Sequence, residues 1–192
     1  MTSRRPSGEQ FEQVYELNRV FLRYLQTSVR DAADLLDLPH GAKPALCAAS
    51  QSLLDVVAEF PRALFRLSID ARAPGGFARE PLKTRAESLR HSVNLTILLC
   101  AWSFSRQSVY EARLLLGLES RQIAELRSRT LTDLQHLAFT PRLVVCAFPA
   151  HEWLWTELLT ETRPEARRRL ALIALQPGLE HEWPARRAAQ LS

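Results

Sequence analysis

Slid against itself until Leu35-Leu36 falls on Leu115-Leu116, the chain lines up with its own second half without a gap. The same register sets Leu38 on Leu118, Leu46 on Leu126 and Leu54 on Leu134. Ala58 falls on Ala138 and Pro61-Arg62 on Pro141-Arg142. Eight of the 37 positions from 34 to 70 are identical, and Ser50 meets Thr130, both of them residue types that cap helix N-termini. Upstream, Asn18 meets Asn94 once a helical turn is inserted, each asparagine set in an otherwise apolar helix. A repeat of this length buries against its copy the face that neither could bury alone. A chain of 192 residues therefore reads as two small copies with a shared core, followed by a tail.

The spacing of apolar residues makes both copies helical. Phe11, Val14, Leu17, Phe21, Tyr24 and Leu25 recur every three or four residues, predicting a helix from Phe11 to Ser28. A second helix is expected over Val29 to Leu38, and a third after Pro44, whose missing N–H costs nothing in a first turn. Ser50 then caps SLLDVVAEF, which stops near Pro61, and ALFRLSID reads as a short strand or extended segment. The Pro- and Gly-rich run ARAPGGFAREPLKT marks a linker. Beyond it, helices are expected over Ser88 to Ser105, over Arg106 to Leu116 with Gly117 as a left-handed cap, over LESRQIAELRSR, and after Thr130. RLVVCAFP closes the copy as a strand. In the tail, Trp153, Leu154 and Leu158 give an apolar helix face, and Pro164 restarts a helix. The domains are thus 11–70, a linker 71–87, 88–150, and a helical tail 151–192.

Composition excludes several classes. Hydrophobic residues at 46% and charged residues at 24% fit an ordered globular chain. No apolar run reaches the roughly 18 residues of a membrane helix, and no apolar stretch follows the basic N-terminus as in a signal peptide. A cytoplasmic chain without membrane contact is expected. Cys47, Cys100 and Cys146 are odd in number, far apart and set among apolar residues, so they read as buried small hydrophobes rather than disulfides or metal ligands. No phosphate-binding glycine loop, nucleophile elbow or metal-ligand spacing appears, and Asp55, Glu59, Glu125 and Asp133 read as surface carboxylates. Cys146 with His136 and His151 is set aside as a thiol site because Cys146 lies in an apolar run. The expectation is a non-enzyme with no catalytic residues, no metal and no cofactor.

Two features point toward nucleic acid. Residues 115–138 have the rhythm of a helix-turn-helix, with Arg121, Arg127, Arg129 and Gln135 expected on the exposed side. Arg4, Arg5, Arg167, Arg168 and Arg169 could make nonspecific phosphate contacts. Ordinary helix packing with solvent-facing arginines gives the same pattern. The net charge of +4 is small for a chain that would hold DNA unaided.

These residues carry a resemblance to a family. Asn94 with its leucine-rich helix, RLLLGL at 113–118, Leu126, Thr130-Leu131, Leu134, Leu137-Ala138 and the closing run with Leu143, Cys146 and Phe148 resemble the flagellar master regulator subunit FlhD. The first copy matches through YELNRVFLRYL, LLDL, Ser50, Leu54 and Ala58. It departs at Asp37, where the family's glycine would stand, and at PHGAKP. The resemblance implies mainly helical subunits that dimerise and bind promoter DNA with a zinc-containing FlhC-type partner, recruiting RNA polymerase. It implies a mainly α fold of two FlhD-like repeats packed as an intramolecular pseudo-dimer, with Asn18, Phe21, Leu25, Asn94, Leu98 and Trp102 at the repeat interface. The metal-binding cysteines belong to the partner, and this chain has no such cluster. The function expected is that of a transcriptional regulator subunit. The alternative is a helical interaction module, or an anti-activator that occupies a regulator without touching DNA.

Overall fold

The computed structural model describes residues 8–30, 36–69, 84–161 and 163–175. The fold is mainly helical. Two long helices, α1 (Gly8–Arg30) and α4 (Arg85–Gln107), pack against each other at its centre. Each buries one stripe at three- and four-residue spacing: Val14, Leu17, Asn18, Phe21, Leu22 and Leu25 in α1; Val93, Asn94, Ile97, Leu98, Ala101 and Phe104 in α4. Two long helices laid stripe to stripe leave their flanks uncovered, and short helices cover them. Helix α3 (Gln51–Ala58) and α2 (Ala42–Ala48) lie on α1; α5 (Val109–Leu116), α6 (Ser120–Ser128) and α7 (Leu131–Leu137) lie on α4.

Local chemistry sets where these helices begin and end. Ser50 Oγ accepts from Leu53 N at 3.2 Å and starts α3. Thr84 and Glu87 form a reciprocal capping box at α4, as Thr130 and Asp133 do at α7. Ser108 caps α5, so the expected helix from Arg106 divides there, with Arg106 and Gln107 ending α4. The expected linker 71–87 falls mostly outside the described residues, and its last residues, from Arg85, are already helical.

The expected second helix, Val29 to Leu38, is corrected at both ends. Val29 and Arg30 belong to α1, and Leu36 to Leu38 are not helical. Asp37 has a left-handed backbone, φ 55°, which ends any helix there.

Strands β1 (Phe65–Leu67) and β2 (Val144–Cys146) pair antiparallel, Phe65 with Cys146, Arg66 with Val145 and Leu67 with Val144. The pairing continues outward through Ala147 N to Leu64 O and Ser68 N to Leu143 O. Helix α8 (Glu152–Thr160) then packs on α2 and α3, and α9 (Pro164–Leu175) packs on α8. The buried face of α8 is Leu154, Trp155, Leu158 and Leu159, with Trp155 fully enclosed and its indole N–H donated to Ala147 O. Trp153, expected on that face, is only half-buried. Among the described residues no helix is long and apolar enough to cross a membrane.

Candidate partner and nucleic-acid interface

Both asparagines are buried, and each serves the turn that follows the last short helix of its own half. Asn18 Nδ2 donates to Ala58 O, Phe60 O and Arg62 O, all at 3.1 Å, and its Oδ1 accepts from Leu64 N at 2.9 Å. Asn94 Nδ2 donates to Ala138 O and Thr140 O at 3.0 Å. In the repeat register Ala138 and Thr140 are the counterparts of Ala58 and Phe60. A turn after a short helix leaves carbonyls without intrahelical partners, and a buried amide is the neutral group that supplies donors to them.

The correspondence continues along the helices. Two turns after Asn18, Gln26 Nε2 donates to Leu46 O and Ala49 O. Two turns after Asn94, Trp102 Nε1 donates at 3.2 Å to Arg129 O, and Arg129 is the counterpart of Ala49. Phe21 and Leu25 in α1, and Leu98 in α4, are fully buried, with Phe21 edge-on to Phe65 at 5.7 Å between ring centres. Of the six residues expected at the repeat interface, the two asparagines and Trp102 spend their polar groups within their own half.

Across the halves a second set of contacts is exchanged. The Arg62 guanidinium covers Gly117, so that a Cβ there would come within 2.8 Å of it, and it also stacks 5.6 Å from the Phe148 ring. Arg142, the counterpart of Arg62, pairs with Asp37, the counterpart of Gly117. Arg66 Nη2 reaches the same carboxylate at 3.2 Å. Asp37 and Gly117 are both left-handed, φ 55° and 67°. The departure at Asp37 is thus one of side chain and not of backbone: aspartate tolerates this region, and its carboxylate meets the arginines. Gly117→Ala is expected to destabilise the fold by about 1–2 kcal/mol from the left-handed backbone alone. Asp37→Gly should cost less, because it relieves the same strain while giving up exposed ion pairs. Urea denaturation of both variants checks this, and a Gly117→Ala protein as stable as the parent would contradict it.

The face expected for nucleic acid divides. Arg121 and Arg127 are exposed on α6, with no acidic partner among the described residues. Arg129 is half-buried and ion-paired to Glu125 at 2.7 Å, and Gln135 is half-buried on α7. Asp133 is held below the usual carboxylate range by the Thr130 N–H and hydroxyl, with Arg129 and His136 nearby. Helix α6 and α7 are joined through Arg129 and Thr130 alone, shorter than the three- or four-residue turn of a helix-turn-helix. Away from this face, Arg167 donates to Glu161 O at 2.7 Å and Leu158 O at 3.0 Å, satisfying the end of α8. Burial lowers the Arg167 pKa. Arg169 is exposed on α9, the Arg168 side chain lies outside the described residues, and so do Arg4 and Arg5.

Of the three cysteines expected to be buried, one is, one is half-buried and one is exposed. Cys146 is buried, and burial with the Asp37 carboxylate nearby pushes its thiol well up. Cys100 is half-buried and also raised by burial. Cys47 is exposed, because its run ALCAA lies on a seven-residue helix with one side to solvent. Among the described residues no group of three or more His, Cys, Asp or Glu is placed to hold a metal ion. Sequence reasoning passed over Gln26, Arg62, Arg142 and Trp155. The offset that pairs Asn18 with Asn94 also pairs Gln26 with Trp102, and Arg62 with Arg142 was visible beside the terminating prolines.

No protein-family model, curated protein or solved structure matches the chain.

Proposed function

We propose that the chain is a transcriptional regulator subunit that acts on promoter DNA together with an FlhC-type partner. In this reading its two FlhD-like repeats, 11–70 and 88–150, pack as an intramolecular pseudo-dimer joined by residues 71–87 and extended by a tail from 151. The observation that carries it is the exchange between halves: Arg62 sits on Gly117 while Arg142 sits on Asp37. A two-fold interface has this property, since residue i meets j' wherever i' meets j. The strand register obeys it too. Phe65 pairs with Cys146 and Arg66 with Val145, so moving each residue to its counterpart in the other half returns the same ladder. Such a dimer of copies is the form in which the resembled family works, and RNA polymerase would be its downstream contact.

The DNA work is shared in this reading. Arg121 and Arg127 are the cations of the α6–α7 face without a counter-charge among the described residues, and two phosphate contacts give weak, salt-sensitive binding. The ion-pairing of Arg129 by Glu125 favours a second reading, a protein-interaction module or anti-activator without DNA contact. A gel shift on upstream fragments of the chain's own gene and its neighbours, with and without the neighbouring gene product, separates them. The expected result is a shifted complex only with both proteins, weakened in Arg121→Ala/Arg127→Ala with a salt slope lower by about 2. A stable protein complex that shifts no fragment would support the second reading. Failure of both complex and shift would overturn the proposal.

A further inference from the structure

The two halves correspond closely in backbone contacts but not in what they show to solvent. In the second half, Arg106 lies 4.8 Å over the ring of half-buried Trp102, and Trp102 reaches the α6–α7 turn through Arg129 O. Three residues after Arg106 come Val109 and Tyr110, 41% and 49% exposed; two after Arg129 comes Leu131, 52% exposed. These are three of the six large hydrophobics left exposed among the described residues. Arg127, two residues before Arg129, lies on the last turn of α6 and is exposed. Neither Arg106 nor Arg127 has an acidic partner among the described residues, whereas nearby Glu125 is taken by Arg129. The corresponding positions of the first half are Gln26, Cys47 and Gln51 in place of Trp102, Arg127 and Leu131. At these three positions, among the described residues, the apolar and cationic groups belong to the second half.

We propose that the patch of Trp102, Arg106, Val109, Tyr110, Arg127 and Leu131 docks one acidic, leucine- or aromatic-bearing segment of a partner protein, once per chain. This rests on the reading that the chain works through a partner. Charge complementarity selects the occupant: exposed leucine and tyrosine supply apolar area, and two guanidiniums without an acidic partner among the described residues call for carboxylates. Tryptophan, tyrosine and arginine are also the side chains that most often carry binding energy at interfaces. A second copy of this chain would set Arg106 and Arg127 against the same two cations about a two-fold axis, which the charge opposes.

The test uses the full chain and a fluorescein-labelled synthetic amphipathic helix, leucine and phenylalanine on one face and glutamate on the other. A lysine-for-glutamate version is the control. Fluorescence anisotropy and calorimetry are expected to give saturable binding of the glutamate peptide alone, at one site per chain. Arg106→Glu/Arg127→Glu and, separately, Leu131→Asp should each weaken it about tenfold or more. Gln51→Ala, at the counterpart of Leu131, should leave it unchanged. Circular dichroism melts show that each variant is folded, and Leu131→Ser serves if Leu131→Asp is not. Equal binding of both peptides, no saturable binding, two sites per chain, or indifference to the three patch substitutions would overturn the proposal. So would a duplex that displaces the peptide and loses its own binding with Leu131→Asp, which would make the patch a nucleic-acid surface. Arg127 enters both tests, but Leu131→Asp enters only this one and the gel shift of the unsubstituted chain is read without the peptide, so the two failures are distinguishable.

Discussion

Asn18→Asp, a change of one amide nitrogen to oxygen, is expected to destabilise the fold at neutral pH by about 3–5 kcal/mol. The side chain keeps its shape but turns its donor into an acceptor. Three carbonyls, of Ala58, Phe60 and Arg62, would lose their partner and face a carboxylate oxygen instead. Only the bond from Leu64 N survives. Burial and the carbonyl dipoles would raise the new carboxyl's pKa above its unfolded value near 3.9. Below that unfolded value both states are protonated and the variant is least impaired. As pH rises the unfolded chain gives up its proton first, so stability falls until the folded-state pKa is passed. Denaturant melts at pH 4 and pH 7 check both the size and the sign. Asn94→Asp should act in the same direction with a smaller loss, since two carbonyls depend on Asn94. An Asn18→Asp chain within about 1 kcal/mol of the parent at pH 7 would show that the turn is held by something else.

Trp155→Ala should cost a comparable amount, about 3–5 kcal/mol. The side chain is 0% exposed and among the largest fully enclosed in the molecule, so its removal opens a cavity between α8 and the α2–α3 pair. It also strands Ala147 O, whose partner is the indole N–H at 2.9 Å. Trp155→Phe separates the two contributions: most of the packing stays, and the lost hydrogen bond alone costs about 1–2 kcal/mol. Hydrogen exchange localises the effect. Protection is expected to fall in α8 and α9 before it falls in α1 and α4, because the main packing of α8 among the described residues is on α2 and α3 and not on the central pair. Equal loss of protection in all four helices would contradict that order.

Much of the helix punctuation was legible because its causes are local. Ser50, Thr130 and Gly117 act on backbone groups within four residues, and each stands where the sequence placed it. The stripe of α1 was legible for a similar reason, since a 23-residue helix repeats its spacing often enough to declare a face. Short elements declared less. Periodicity offered Trp153, Leu154 and Leu158 for α8, whereas the buried set includes Trp155 and Leu159. Over nine residues either face is arguable, and the surface of α2 and α3 decides. Cys47 went astray in the same way, being apolar in its neighbours yet outward on a helix of seven residues. Arg167 read as one of three cations for phosphate, but the carbonyls it satisfies belong to α8 and come near only after the chain turns at Pro164.

The amino-acid order by itself determined most of the helices, the caps at Ser50, Thr130 and Gly117, the register that matches one half to the other, and the asparagine set in each long helix. These follow from periodic burial and from hydrogen bonds spanning a few residues. The tertiary structure alone decided what those asparagines hold, which arginine meets which left-handed residue, and which half is left apolar and cationic at its surface. Each of these depends on groups far apart along the chain, such as Asn18 with Arg62 or Asp37 with Arg142. Their energies exist only once the fold has set both partners in contact.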